Sequence, residues 1–180
     1  LRATGTGMCF NGGRFIADAE ARNWPVLLDE DAISTGFGVQ ARSWPRLPFP
    51  ENPALPDDVP KAIPIAMVTG SNGKTTSVRL LAAMARTAGL NCTHNCTDGL
   101  FFNGALVEAD DYSGPAGARA SLRHPKAEAV ILETARGGLL RRGLATDRAL
   151  AALVTNISED HFGEYGVFSL DDLAQVKLTV

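Results

Sequence analysis

The chain of 180 residues has an apolar content of 45%, a formal charge of -3 and a mean hydropathy near zero, the profile of an ordinary globular protein with room for one full domain and a small appendage. That acidic balance argues against a nucleic-acid partner held through its phosphates. No apolar run approaches a membrane span and no signal peptide is visible, so the expectation is a cytoplasmic protein with no membrane partner.

Residues 1–60 form a first segment without a chemical motif. Phe10 to Trp24 has room for one short helix, and Val26-Leu27-Leu28 and Phe37 to Ala41 read as short strands. Asp29 to Gly36 reads as a turn-rich connection, and the prolines from Pro48 to Pro60 mark an extended linker. Residues 61–180 then carry a strand–helix–strand pattern. The apolar run Ile63 to Val68 leads into Gly70-Ser71-Asn72-Gly73-Lys74-Thr75-Thr76, and a helical stretch, Ser77 to Ala88, follows and closes at Gly89.

Strand, glycine turn and helix in that order make a phosphate cradle. Gly70 and Gly73 let the backbone wrap phosphate oxygens with N–H groups pointing inward, and the positive end of the helix dipole lies behind them. Lys74 is placed to reach the outer phosphates of a nucleotide, and the Thr75 hydroxyl to ligate Mg²⁺. The loop is a short form: in the longer G-x-x-x-x-G-K-S/T pattern the first glycine would fall at Val68.

Cys92, His94 and Cys96 are close in sequence, but zinc wants four ligands and only the distant Cys9 remains. The thiols read as reduced and cytoplasmic rather than as metal ligands. Thr97-Asp98-Gly99 comes next, then Leu100 to Val107, whose Asn103-Gly104 centre is a hairpin signal. Asp110 to Gly117 is a loop, and Pro115 starts a short helix that ends before Pro125. Ala129 to Leu132 and Ala151 to Val154 are continuous apolar strands of the kind buried on both faces of a parallel sheet. Glu133 follows the first, and Asn156, Glu159, Asp160 and His161 follow the second. Ligands of open parallel sheets sit past the carboxyl ends of the strands, so these residues and the phosphate loop should share one edge. The expected fold class is α/β: a P-loop-type, mostly parallel sheet flanked by helices, with a small N-terminal extension.

These motifs together resemble the ATP-binding central domain of the Mur ligase superfamily. Thr97-Asp98-Gly99, Ser113-Gly114-Pro115, the run Leu132 to Gly143 and Ser158-Glu159-Asp160-His161 are similar in particular to the Mur-ligase-like module of cyanophycin synthetases. The likeness spans about Ile63 to Val180. It implies an ATP-dependent ligase that phosphorylates a carboxylate on a small-molecule or peptide substrate and joins it to an amine, with oligomerisation possible. It implies that Thr75 and Glu133 hold one Mg²⁺ and that His161 helps hold a second. Thr97 and Asp98 resemble positions facing the acceptor. Arg136, Arg141 and Arg142 have forked guanidiniums suited to an acidic substrate or to phosphate, although surface arginines on a loop have the same look.

Ser169 and Asp172 form a capping box, so a helix should run from there towards Val180. Leu170, Leu173 and Ala174 give it an apolar stripe with Lys177 in the middle. Spacing alone leaves Lys177 free to snorkel to solvent. The resemblance implies a carbamylated lysine acting with His161 at the second Mg²⁺. Two departures from the family pattern stand out: residues 1–60 are too short for the ATP-grasp module that precedes the Mur-like part of cyanophycin synthetases, and the chain stops at Val180, an expected truncation of the domain. Two other readings stay open: a P-loop kinase or NTPase that forms no amide, and a non-catalytic nucleotide-binding subunit.

Overall fold

The computed structural model describes residues 12–55, 57, 60–159 and 163–180. The first of them form helix α1 (Gly13–Ala21), a short helix within the stretch expected to hold one, and an antiparallel sheet of β1 (Val26–Leu28), β2 (Ala32–Thr35) and β3 (Arg42–Pro45). Two expectations fail here. The stretch read as a turn-rich connection holds β2, whose Ile33, Ser34 and Thr35 are buried, and Phe37 to Ala41 is a single 3-10 turn rather than a strand. Gly36 and Gly38 both have positive φ, which bends the backbone out of strand geometry on either side of Phe37.

The main sheet has six strands in the order β7-β6-β5-β8-β4-β9. Its parallel part is β5 (Cys92–Cys96), β8 (Ala129–Glu133), β4 (Ile65–Thr69) and β9 (Ala151–Val154). The hairpin of β6 (Gly99–Phe102) and β7 (Ala105–Glu108) adds antiparallel strands at one end, turning at Asn103 and Gly104, both with positive φ. Helix α2 (Lys74–Thr87) starts at the phosphate loop itself, three residues before the expected stretch, and ends at Gly89 with φ +86. Helix α3 (Pro115–Arg123) begins at its proline, and α4 (Arg136–Arg142) and α5 (Leu170–Lys177) complete the fold.

The two faces of the sheet have separate cores. Val78 and Ala82 of α2 cover Val68, Cys92, Ala129 and Ile131. On the other face, Ala118 and Leu122 of α3 pack with Ile65, Met67, Val130 and Leu132, and the N-terminal segment adds Leu27 of β1 and Phe37 before the 3-10 turn to the same cluster. That docking is close: a Cβ on Gly38 would run into the Ala127 carbonyl, which accepts from the Val39 N–H at 3.0 Å. Strand β9 departs from expectation. It is an edge strand, and Ala151, Ala152 and Leu153 are exposed rather than buried between helices.

Candidate active site

The carboxyl ends of β4, β8 and β9 converge as expected, and β5, a strand the sequence reading did not include, adds its own end beside them. Gly70 has φ +140, and a Cβ there would collide with the Thr155 hydroxyl, so only glycine lets the loop turn against the end of β9. The β9 tail then shapes the loop: the Ser71 N–H donates to the Asn156 carbonyl at 2.9 Å, the Asn72 N–H to Asn156 Oδ1 at 3.1 Å, and Ser71 Oγ to the Ser158 carbonyl at 3.0 Å. Two of the loop amides are thus taken up by the β9 tail. The N–H groups of Lys74, Thr75 and Thr76 open α2 and have no carbonyl four residues back within the helix, so they are the donors a phosphate would meet. Gly73, at φ +82, has open space where a side chain would stand.

Lys74 Nζ folds back over the loop and donates to the carbonyls of Gly70 and Ser71 at 3.0 and 3.1 Å. Beside it lies Glu133, only 1% exposed. The Thr75 hydroxyl donates to Glu133 Oε2 at 2.9 Å and the Thr97 hydroxyl to Oε1 at 3.3 Å. Burial pushes the Glu133 carboxyl above the usual carboxylate range, against the pull of the Thr75 bond and the Lys74 charge. A buried carboxylate flanked by hydroxyls is a hard-oxygen donor set. It fits Mg²⁺ chemically, and a cation there would offset the cost of burying the charge.

The remaining candidates stand on other elements. Asp98 follows Thr97 and pairs with Arg79, both half exposed. Arg136 is buried, and its Nη2 donates to Glu164 at 2.8 Å. Arg141 lies over the Tyr165 ring and donates to the Gly137 carbonyl, while Arg142 is exposed; both stand in the last turn of α4, where a cation also complements the helix dipole. Gly138 meets Gly114 and Pro115 so closely that a Cβ would crowd them, which brings the starts of α3 and α4 together beside Glu133. The α5 capping box is present, with Ser169 accepting from the Asp172 N–H at 3.1 Å. Leu170 is exposed, but Leu173 is buried and Lys177 is 2% exposed, so the lysine does not snorkel out. His161 and Asp160 lie outside the described residues.

Sequence reasoning passed over Arg79 and the bonding of Asn156 to the loop. Arg79 stands four residues after Thr75, on the same helical face, which was the signal available. The Asn156 contact needs the pairing of β9 with β4 and has no local signature.

Comparisons with known proteins point to one family. The model of the Mur ligase middle domain matches residues 68–179. Cyanophycin synthetase of Geminocystis herdmanii is 43% identical over 123 residues, 68% of this chain and 14% of that protein. The Synechocystis cyanophycin synthetase is 42% identical over 126 residues, again 14% of its length. The UDP-N-acetylmuramoyl-L-alanyl-D-glutamate--2,6-diaminopimelate ligase of Ralstonia nicotianae is 31% identical over 167 residues, 90% of this chain and 30% of that enzyme. A solved structure of an enzyme of that name matches with a TM-score of 0.52 and 26% identity, over 68% of this chain and 25% of its own. The chain therefore spans less than a third of these curated relatives, and the residues that the family model matches include the 70–76 loop, Glu133 and helix α5: it belongs to the Mur ligase family, through that family's middle domain.

Proposed function

We propose that the chain is the ATP-binding part of a cytoplasmic ligase that makes an amide bond through an acyl phosphate. The γ-phosphoryl group passes from ATP to a substrate carboxylate, an amine attacks the acyl carbon, and phosphate leaves. The observation that carries this reading is the placement of Lys74, Thr75 and Thr97 around one buried carboxylate, Glu133. Phosphoryl transfer needs positioning and charge neutralisation more than covalent help, and that is what these residues supply. Lys74 would exchange the loop carbonyls for phosphate oxygens, and the free amides opening α2 would hold the remaining negative charge. Thr75 and Glu133 would hold a Mg²⁺ ion, which when bound neutralises phosphate charge. Thr97 and Asp98 would face the acceptor, and Arg136, Arg141 and Arg142 would serve its acidic groups.

Lys177 extends the same reading. Lys177 stands only 2% exposed at the end of the capped helix α5. Addition of CO₂ to its amine, with loss of a proton, would give a carbamate able to join His161 in holding a second Mg²⁺. Phosphate release without amide formation would instead favour the NTPase reading.

The deciding experiment is Lys74→Ala in the full protein. ATP-dependent amide formation should fall by about a hundredfold or more while the fold is kept, because a lost transition-state charge contact costs several kcal/mol. Near-normal turnover in a folded variant would end the proposal. Lys177→Ala should be inactive and recover in part with added short-chain carboxylates; full activity without them rules out the carbamate.

A further inference from the structure

The ion pair between Arg79 and Asp98 is built more carefully than its stability explains. Its side chains are 51% and 55% exposed, and a pair in that setting contributes little. Yet the guanidinium is braced, its Cζ 5.8 Å from the centre of the Phe101 ring. Phe101 in turn stacks on His94, 4.7 Å away and parallel within 1°. His94 is buried, and neither of its ring nitrogens has a hydrogen-bond partner. The histidine is thus spent on packing beneath Phe101 and forms no polar network of its own.

The position of the pair is also specific. Arg79 lies one helical turn after Thr75, and Asp98 directly follows Thr97. Both threonines donate to Glu133, so the pair stands at the rim of the reaction centre on the β5 side. The buried Cys96 thiol, which burial pushes up, lies within electrostatic reach of Glu133, Arg79 and Asp98 together. Only Nη2 of Arg79 is engaged with Asp98, which leaves its Nε and Nη1 without a hydrogen-bond partner among the described residues.

We propose that Arg79 and Asp98 recognise an amino-acid head group, an ammonium and a carboxylate on one carbon, carried by the acceptor. In the free protein each partner stands in for the ligand's opposite charge. On binding, the ligand carboxylate takes the Arg79 fork and its ammonium takes Asp98, so one ion pair is exchanged for two. A second carboxylate of the acceptor, away from this head group, is then the one presented at Glu133 for activation. This assignment rests on the ligase reading for its place on the acceptor side.

Calorimetric titration of the full protein with γ-glutamyl dipeptides tests it, since a side-chain linkage leaves the head group free. The wild type should bind the free form about tenfold or more tightly than either the α-carboxamide or the N-acetyl derivative, the size of a charge-assisted hydrogen bond. Arg79→Gln should bind the free acid and the α-carboxamide alike, and Asp98→Asn the free amine and the N-acetyl form alike. No binding by the wild type, or an equal loss on all three ligands in either variant, overturns the proposal. The same pattern of binding in a protein that forms no amide when given ATP and an amine would sink the ligase reading and leave the head-group site standing.

Discussion

Glu133 is under two opposed demands. Its burial raises the carboxyl, while its place beside Lys74 and Thr75 calls for a charged ligand. A carboxyl whose folded value is raised holds its proton in the native state after the unfolded chain has lost it. Stability of the nucleotide-free protein therefore falls as pH rises through that window, from the ordinary carboxylate value up to the raised one. Glu133→Gln imitates the protonated form. At pH 7.5 it should melt about 2 °C or more above the parent without nucleotide, and it should lose the stabilisation that Mg²⁺ and ATP give the parent. Thermal unfolding with and without Mg²⁺–ATP between pH 5 and 8 measures both effects. A variant no more stable than its parent, or one still stabilised by Mg²⁺–ATP, removes the metal-ligand assignment. The carboxylate itself was legible in sequence, because an apolar run ending in a lone acid marks a strand end in a parallel sheet. Its partnership with Thr97 was not, since that depends on β5 and β8 being neighbours.

At the scale of elements, what could be read was whatever carries a local signature. The phosphate loop, the Asn103-Gly104 hairpin, the proline start of α3 and the α5 capping box all follow from backbone preferences of a few residues. Strand β2 was hidden because Ser34 and Thr35 are polar yet buried, against the usual pattern, at the contact with α3. Part of that cost is met by Arg123, whose Nε donates to Ser34 Oγ. Asp29, just after β1, accepts from both Arg119 and Arg123 and so ties the N-terminal sheet to α3. Burial pushes the Asp29 carboxyl up, but the two arginines outweigh it and hold the carboxyl below its ordinary value. The stability it contributes is therefore present above the ordinary carboxylate value and lost as pH falls through the lowered one. Removing one partner of a partly buried network leaves the arginines uncompensated. Asp29→Ala should cost about 3 kcal/mol, or a drop in melting temperature on the order of 10 °C. A change below about 1 kcal/mol in denaturant unfolding would mean that the cluster behaves as an ordinary surface pair.

For the molecule as a whole, composition puts a break near residue 60, where prolines end and the strand–helix pattern begins. The packing does not follow that break. Leu27 and Phe37 belong to the cluster that holds Ile65, Met67, Leu122, Val130 and Leu132, and the Lys61 N–H donates to Gln40 Oε1. A sequence shows where chain character changes, but it does not show that a small sheet closes the open face of a large one. Residues 26–45 thus act as a wall of the α/β fold, bolted on by Asp29 and fitted through Gly38. This gives the last prediction. A protein starting at Lys61 keeps the phosphate loop, Glu133 and every candidate site residue, and on motif content alone it should bind nucleotide. On packing it should not, because it loses the cover of one sheet face. Each large apolar side chain left bare forfeits about 1.5–3 kcal/mol, and two or three of them would use up much of a domain's net stability. We expect such a protein to be aggregated or readily proteolysed, and to be restored by Leu122→Lys or a similar polar change only in solubility, not in nucleotide binding. A cooperative melt and ATP affinity equal to that of the longer chain would show instead that residues 12–60 are an appendage.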